Sequence, residues 1–228
     1  MSPWVPRVVL GLALFALGYA IYSIAVGEGG PKSPPVEGVN DVQEIFGGIE
    51  QEGATLGPTD APITIEVFND LQCAPCADFE LETIDPLVEE YARTDKAQFV
   101  FRNFSLAPND TTLAAIAAEA AGMQARQWQY ADTFFRNQDL AQGRGVDDQI
   151  LREVAEAVPE LDQDRWQTDY DSPQSADLVR EDAMLAAQLK LPAEPAVVVS
   201  GPAGERKLIQ TPTHDEIEAA IAQVSGPD

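Results

Sequence analysis

Both cysteines of the 228-residue chain fall within four positions, Cys73-Ala74-Pro75-Cys76, and the segments on either side dictate what can hold them. Ahead of the pair, residues 61–68 (APITIEVF) are rich in β-branched and aromatic residues and follow the turn-forming GPTDAP, the pattern of a buried strand. Behind it, Phe79, Ile84, Leu87, Val88 and Tyr91 recur at helical spacing, with acidic residues at the other positions. The cysteines therefore lie where a strand hands over to a helix. Pro86 inside that helix predicts a kink, because proline removes one hydrogen bond of the ladder. Residues 97–104 read as a second strand, which completes a βαβ unit.

From Asp110 to Leu191 the periodicity is helical throughout, so the chain carries a helical block after its second strand. AVVVSG (196–201), a GPAGE turn and KLIQ then suggest a hairpin. Thr213 and Glu216 have the spacing of a capping box at the start of a last helix that runs to Val224.

The front of the chain is different. Residues 8–26 contain no charge, close to the roughly 20 apolar residues needed to span a bilayer. A cleaved signal peptide is the competing reading, since Ser23 and Ala25 could precede a cleavage site, although its apolar core normally runs only about 7–15 residues. Arg7 is the one charge before the span and the acidic residues follow it, which places the N-terminus in the cytoplasm and the remainder outside. The Gly/Pro-rich GEGGPKSPP has no capacity to pack a core and reads as a tether. The expected organisation is an anchor or signal at 1–27, a flexible linker at 28–40, and a folded domain at 41–228 with the helical insertion at about 108–191. With 38 acidic and 14 basic residues, a net charge of −24, the chain is a poor nucleic-acid binder and has the surface of a strongly solvated protein.

Two cysteines with two residues between them could form a structural staple, half of a metal site, or a redox centre. Closing so short a loop does little for stability compared with a long one, which disfavours the staple. Zinc asks for about four ligands, whereas the chain offers two cysteines and a single histidine, His214, which reads as a solvated first-turn residue. Neither metal nor organic cofactor is expected. A dithiol that exchanges with other disulfides needs one accessible thiolate and a second thiol to resolve the mixed disulfide. Cys73, at the helix start, faces unpaired backbone amides and the positive end of the helix dipole, so it is the expected nucleophile. Cys76, one turn further in, is the expected resolving thiol.

The order of elements, with LGPTDAPITIEVFNDLQCAPC, the Ala-rich AAIAAEAAGMQARQWQYADTFFRNQ and a proline just before a buried strand, resembles the DsbA-like thiol-disulfide oxidoreductases over about Leu56–Val224. The resemblance implies an α/β, thioredoxin-like fold with an inserted helical domain, preceded here by one N-terminal transmembrane helix. It implies exported cysteine-containing proteins as substrates, and a membrane partner, DsbB-like or vitamin K epoxide reductase-like, that resets the pair. It also implies a cis-proline beside the cysteines that helps orient an extended substrate strand; Pro195 is the matching position, with Pro192 the rival, and Glu194, Ala74 and Pro75 are its expected companions at the substrate surface.

The chain departs from the family in three places, at Val67, at Ala74-Pro75 and at Glu194, where relatives often have threonine or valine. Relatives carry a buried glutamate six positions before the first cysteine for proton transfer, and that position is Val67. Glu66 should face the other side of the strand unless a bulge intervenes, and Asp70 could substitute or simply shape the turn. Between the cysteines stand Ala74-Pro75, closer to the Gly-Pro of reducing thioredoxins than to the His-containing pairs of strong oxidants. A carboxylate at Glu194 would disfavour a thiolate at Cys73 if the two lie close, which points to a mild oxidant. The expected activity is oxidation of exported thiols. Reduction or isomerisation, and a non-catalytic binding or chaperone module, are the alternatives.

Overall fold

A computed structural model describes residues 35–105, 112–142, 145–209 and 211–226. The expected membrane helix and most of the expected linker lie outside the described residues. Among the described residues no helix is long and apolar enough to cross a membrane. The compact unit begins at Val36. Its first helix, α1 (Val39–Phe46), starts inside the stretch assigned to the linker and buries Val42 and Phe46, so the linker ends a few residues earlier than expected. Two strands not expected from the sequence follow, β1 (Gln51–Glu52) and β2 (Thr55–Leu56), each too short for alternation to register.

The strands that carry the cysteines form as expected. β3 (Ile63–Asn69) and β4 (Ala97–Asn103) pair in parallel, from Ile63 opposite Ala97 to Asn69 opposite Asn103. The irregular helix α2 joins them over residues 74–92. Around Pro86 this helix does not end. A π-helical stretch, Glu80–Ile84, precedes the short α segment Asp85–Leu87, and a second, Val88–Ala92, follows it. Wider turns absorb the missing donor, a common device where a helix passes a functional site. Two acidic residues of α2, Glu80 and Asp85, are buried.

The insertion comprises α3 (Thr112–Gly122), α4 (Gln127–Arg136), α5 (Gln138–Gln142), α6 (Asp148–Ala157), α7 (Gln163–Tyr170) and α8 (Pro173–Leu189). The chain then returns through β5 (Ala196–Gly201), antiparallel to β3, and β6 (Gly204–Ile209), and closes with α9 (His214–Val224). The capping box of α9 is present in full: the Glu216 amide donates to Thr213, and the Glu216 carboxylate accepts from the Thr213 amide. The sheet order is β1-β2-β4-β3-β5-β6, which makes β3 a central strand.

Each face of the sheet has its own core. Ile63, Ile65 and Val67 of β3 join Phe99, Phe101, Val197 and Val199 in the main core with Cys76, whereas Phe68, Ala196 and Val198 pack on the opposite face with Phe104, Ala186 and Leu191. Trp128 ties the insertion to the main core. Its ring lies 5.5–6.2 Å from those of Phe46, Phe99 and Phe101, and its indole N–H donates to the Ala54 carbonyl at 2.9 Å.

Candidate active site

Cys73 is the N-cap of α2, in an extended conformation that turns the chain from the β3 loop into the helix. Its Sγ accepts the Cys76 N–H at 3.2 Å, and its carbonyl accepts from Cys76 and Ala77 at 3.0 and 3.2 Å. The side chain of Cys73 thus occupies the place of a capping oxygen and shares the Cys76 amide with the Cys73 carbonyl. Pro75 sits in the first turn, where the missing N–H removes no helical bond. Cys73 is bonded to Cys76 by a disulfide. Exposure separates the two sulfurs: Cys73 is half-buried between exposed Ala74 and Pro75 on one side and the core on the other, while Cys76 is fully buried.

The turn before the pair is built by side chains. Asp70 Oδ1 accepts the Gln72 amide at 2.9 Å, and the Asp70 carbonyl accepts the Cys73 amide at 3.1 Å. Burial pushes the Asp70 carboxyl above its ordinary value, against the opposing pull of Gln72 and Ser105. Its hydrogen bonds are those of a turn residue, the second of the two roles expected for it. From the insertion, Gln138 donates its amide to the carbonyls of Leu71 at 2.6 Å and Cys73 at 3.2 Å. Nothing local marks this clamp in the chain, because Gln138 lies on a five-residue helix with no pattern of its own. A groove of about 290 Å³ runs beside it, lined by Gln72, Ala74, Phe134, Gln138 and Ala141.

The Glu194–Pro195 peptide is cis. Pro195 is buried, Pro192 is exposed, and Glu194 is partly buried. Ala196, next in the chain, pairs with Phe68 of β3, so Pro195 stands at the same end of the sheet as the 70–73 turn.

Glu66 is not part of this group. It lies on the face opposite Val67, where Arg102 Nη2 and Nε donate to it at 2.8 and 2.9 Å and Arg102 also reaches Asp182 at 3.1 Å. The strand has no bulge between Ile63 and Asn69 to turn it inward. The buried carboxyl on the cysteine side is Glu80, which the sequence reading passed over. Cys76, Glu80 and Ile84 form a row at a spacing of four, the signal that could have exposed it. The Glu80 amide donates to the Cys76 carbonyl. Its Oε2 accepts from Asn69 Nδ2 at 2.6 Å, and both residues are 0 % exposed. Burial, first, and then the neighbouring Asp85 and Asp132 push the Glu80 carboxyl well above its ordinary value.

The only cation in direct contact with these neighbours among the described residues is Arg136, which donates to Asp85 at 2.6 Å and Asp132 at 2.8 Å. Even so, burial holds Asp85 up at about 8 and Asp132 at about 6. The arrangement is repeated on β4: Asn103 donates to Glu119 of α3 at 2.6 Å, and burial pushes that carboxyl to about 7.

His214 lies elsewhere, partly buried at the start of α9. Its Nε2 is 3.8 Å from Glu90 and its Nδ1 is 3.6 Å from Glu218. The two nitrogens face separate carboxylates.

A half-accessible sulfur that accepts a helix amide, bonded to a shielded one, has the geometry that dithiol–disulfide exchange requires. A family model described as thioredoxin matches residues 50–223. The chain belongs to the thioredoxin family. Within it, the chain is 27 % identical over 215 residues to the probable disulfide bond formation protein D of Bacillus anthracis, covering 91 % of this chain and 89 % of that protein. The disulfide bond formation protein D of Bacillus subtilis is 22 % identical over 168 residues, 73 % of this chain and 74 % of that one. The crystal structure of oxidised BdbD from Bacillus subtilis superposes with a TM-score of 0.66 at 21 % identity, covering 77 % of this chain and 96 % of that one. Pseudomonas aeruginosa DsbA2 gives 0.58 at 21 %, covering 78 % and 97 %. The expected fold, thioredoxin-like with a helical insertion, is therefore the one observed.

Proposed function

We propose that this thioredoxin-family member is an extracytoplasmic thiol-disulfide oxidoreductase that donates the Cys73–Cys76 disulfide to cysteines of exported proteins. The observation that carries the reading is the asymmetry of the pair: Cys73 half-buried and holding the Cys76 amide, Cys76 fully buried. The amide that reaches Cys73 Sγ stabilises a thiolate there once the disulfide opens, which favours the reduced form and makes the disulfide oxidising. The names of the Bacillus relatives support the same direction.

A substrate thiolate attacks Cys73 Sγ, and the mixed disulfide is resolved either by the substrate's second thiol, which completes oxidation, or by Cys76, which reverses it. Pro195 and Glu194 flank the incoming strand on one side. Ala74 and Pro75 form the exposed lip, with the groove beside Gln138 as room for residues next to the reacting cysteine. In this reading the uncharged stretch 8–26 anchors the domain or directs its export, with the N-terminus cytoplasmic, and a DsbB-like or vitamin K epoxide reductase-like membrane protein restores the disulfide.

The Ala74-Pro75 pair favours a second reading, a reductase or isomerase. Equilibration with glutathione buffers, followed by alkylation and mass shift, separates the two. A potential above roughly −200 mV supports the oxidase, and one near ~−270 mV, like thioredoxin's, supports the reductase or isomerase. A pair that exchanges with no thiol at all would leave a binding module.

A further inference from the structure

We propose that Glu80 is the internal proton relay of Cys76, giving a proton to its sulfur when the disulfide opens and taking it back when the disulfide re-forms; this rests on the exchange function proposed above. The need arises from burial. When a substrate thiolate attacks Cys73 Sγ, a bond forms between those sulfurs, the Cys73–Cys76 bond breaks, and its electron pair stays on Cys76. That sulfur is 0 % exposed, so the new thiolate is cut off from water and is costly until it gains a proton.

Glu80 is placed to supply it. It lies one turn after Cys76 on the same face of α2, a spacing that brings side chains about 5–6 Å apart at Cβ. Its Oε2 is held by Asn69, whereas its Oε1 is buried with no hydrogen-bond partner. The charged groups around it come from three elements: Asp85 on α2, Asp132 and Arg136 on α4, and Asp41 on α1, which stands 3.8 Å from Arg136. Among the described residues no cation bonds to Glu80 directly, since Arg136 donates to the aspartates, and burial with those aspartates favours the protonated carboxyl while the disulfide is intact. The short bond from Asn69 steadies the carboxylate formed on transfer.

The cycle balances without solvent. After transfer, Cys76 is a thiol and Glu80 a carboxylate. The substrate's second thiolate attacks its own sulfur in the mixed disulfide, releases the substrate disulfide and leaves Cys73 as a thiolate. The Cys73 thiolate then attacks a partner disulfide, forming a mixed disulfide and releasing one partner thiolate; Cys76 returns its proton to Glu80 and attacks Cys73 Sγ, expelling the second partner thiolate. Glu80 thereby does from the helix what Val67 cannot do from the strand.

The test is single-turnover reduction of the oxidised full-length chain in detergent by dithiothreitol, from acidic to alkaline pH, with rates expressed per dithiothreitol thiolate. Wild type should show a plateau at low pH that falls as Glu80 ionises. Glu80→Gln should abolish the inflection and lower the plateau on the order of 10²-fold, the low end for a positioned acid; Glu80→Asp should restore part of it. Should Glu80→Gln fail to fold, Asn69→Ser gives the answer, because loss of the amide must move the inflection to higher pH. A flat wild-type profile, a Gln variant that matches wild type, or an unmoved inflection in Asn69→Ser overturns the relay alone. A wild type that exchanges with no thiol overturns the exchange function, and the relay with it.

Discussion

Residue by residue, the two cysteines differ in exposure, and the exchange proposed above assigns their roles from that difference. Cys76→Ser should trap Cys73 in a stable mixed disulfide with reduced substrate proteins, seen as an adduct on non-reducing gels, while Cys73→Ser should give none because Cys76 is buried. Gln138→Ala removes one amide from two carbonyls of the active turn. The expected loss is about 1 kcal/mol in urea unfolding, with faster hydrogen exchange at the Cys73 amide. The placing of Cys73, Cys76 and Pro195 at one end of the sheet was legible in the chain because each is marked locally, by spacing or by its place before a β-branched run. Glu80 could not be read so easily. It stands among Asp78 and Glu82, which are exposed, and only the packing of α4 and the Asn69 side chain decide that it is inside.

At the level of elements, periodicity carried the reading a long way: β3, α2, β4, the helices of the insertion, the β5–β6 hairpin and α9 all follow the pattern of the chain. What was lost has physical reasons. β1 and β2 have two residues each, and α1 borders a Gly/Pro-rich segment that masks its own periodicity. Pro86 was expected to kink α2, and π turns on both sides are the irregularity with which the helix passes it. The cap of α9 was legible, and it allows a clean test. Thr213→Ala removes a side chain that accepts the Glu216 amide, at an expected cost of about 1 kcal/mol. A lowered urea midpoint with unchanged slope would register it, and no change would mean that burial of Ile217, Ile221 and Val224 alone fixes the helix.

Across the whole molecule, acid is both on the surface and inside. Asp85 is held at about 8, Glu119 at about 7, and Asp132 and Asp182 at about 6, against ordinary values of 3.8 and 4.5. Each binds its proton more tightly folded than unfolded. Their favourable contribution is therefore complete below the ordinary carboxylate range and is lost as pH rises through the folded values. Glu216, lowered by the Thr213 cap, runs the other way but is fully exposed. The urea midpoint should accordingly be higher at about pH 5 than at about pH 8, and repulsion within a chain of net charge −24 adds to the same trend. Equal midpoints would show that the buried carboxyls are compensated. The sheet order has a consequence for synthesis. β3 carries the cysteines at its end and lies between β4 and β5, yet β5 follows the entire insertion in the chain. A nascent or truncated product that stops within the insertion has its redox strand as an open edge, with a row of unpaired amides and carbonyls next to two uncommitted thiols. Such fragments are prone to strand addition and to random cross-linking together, so the hairpin at the end of the chain protects the cell from the very chemistry that the middle of the chain performs.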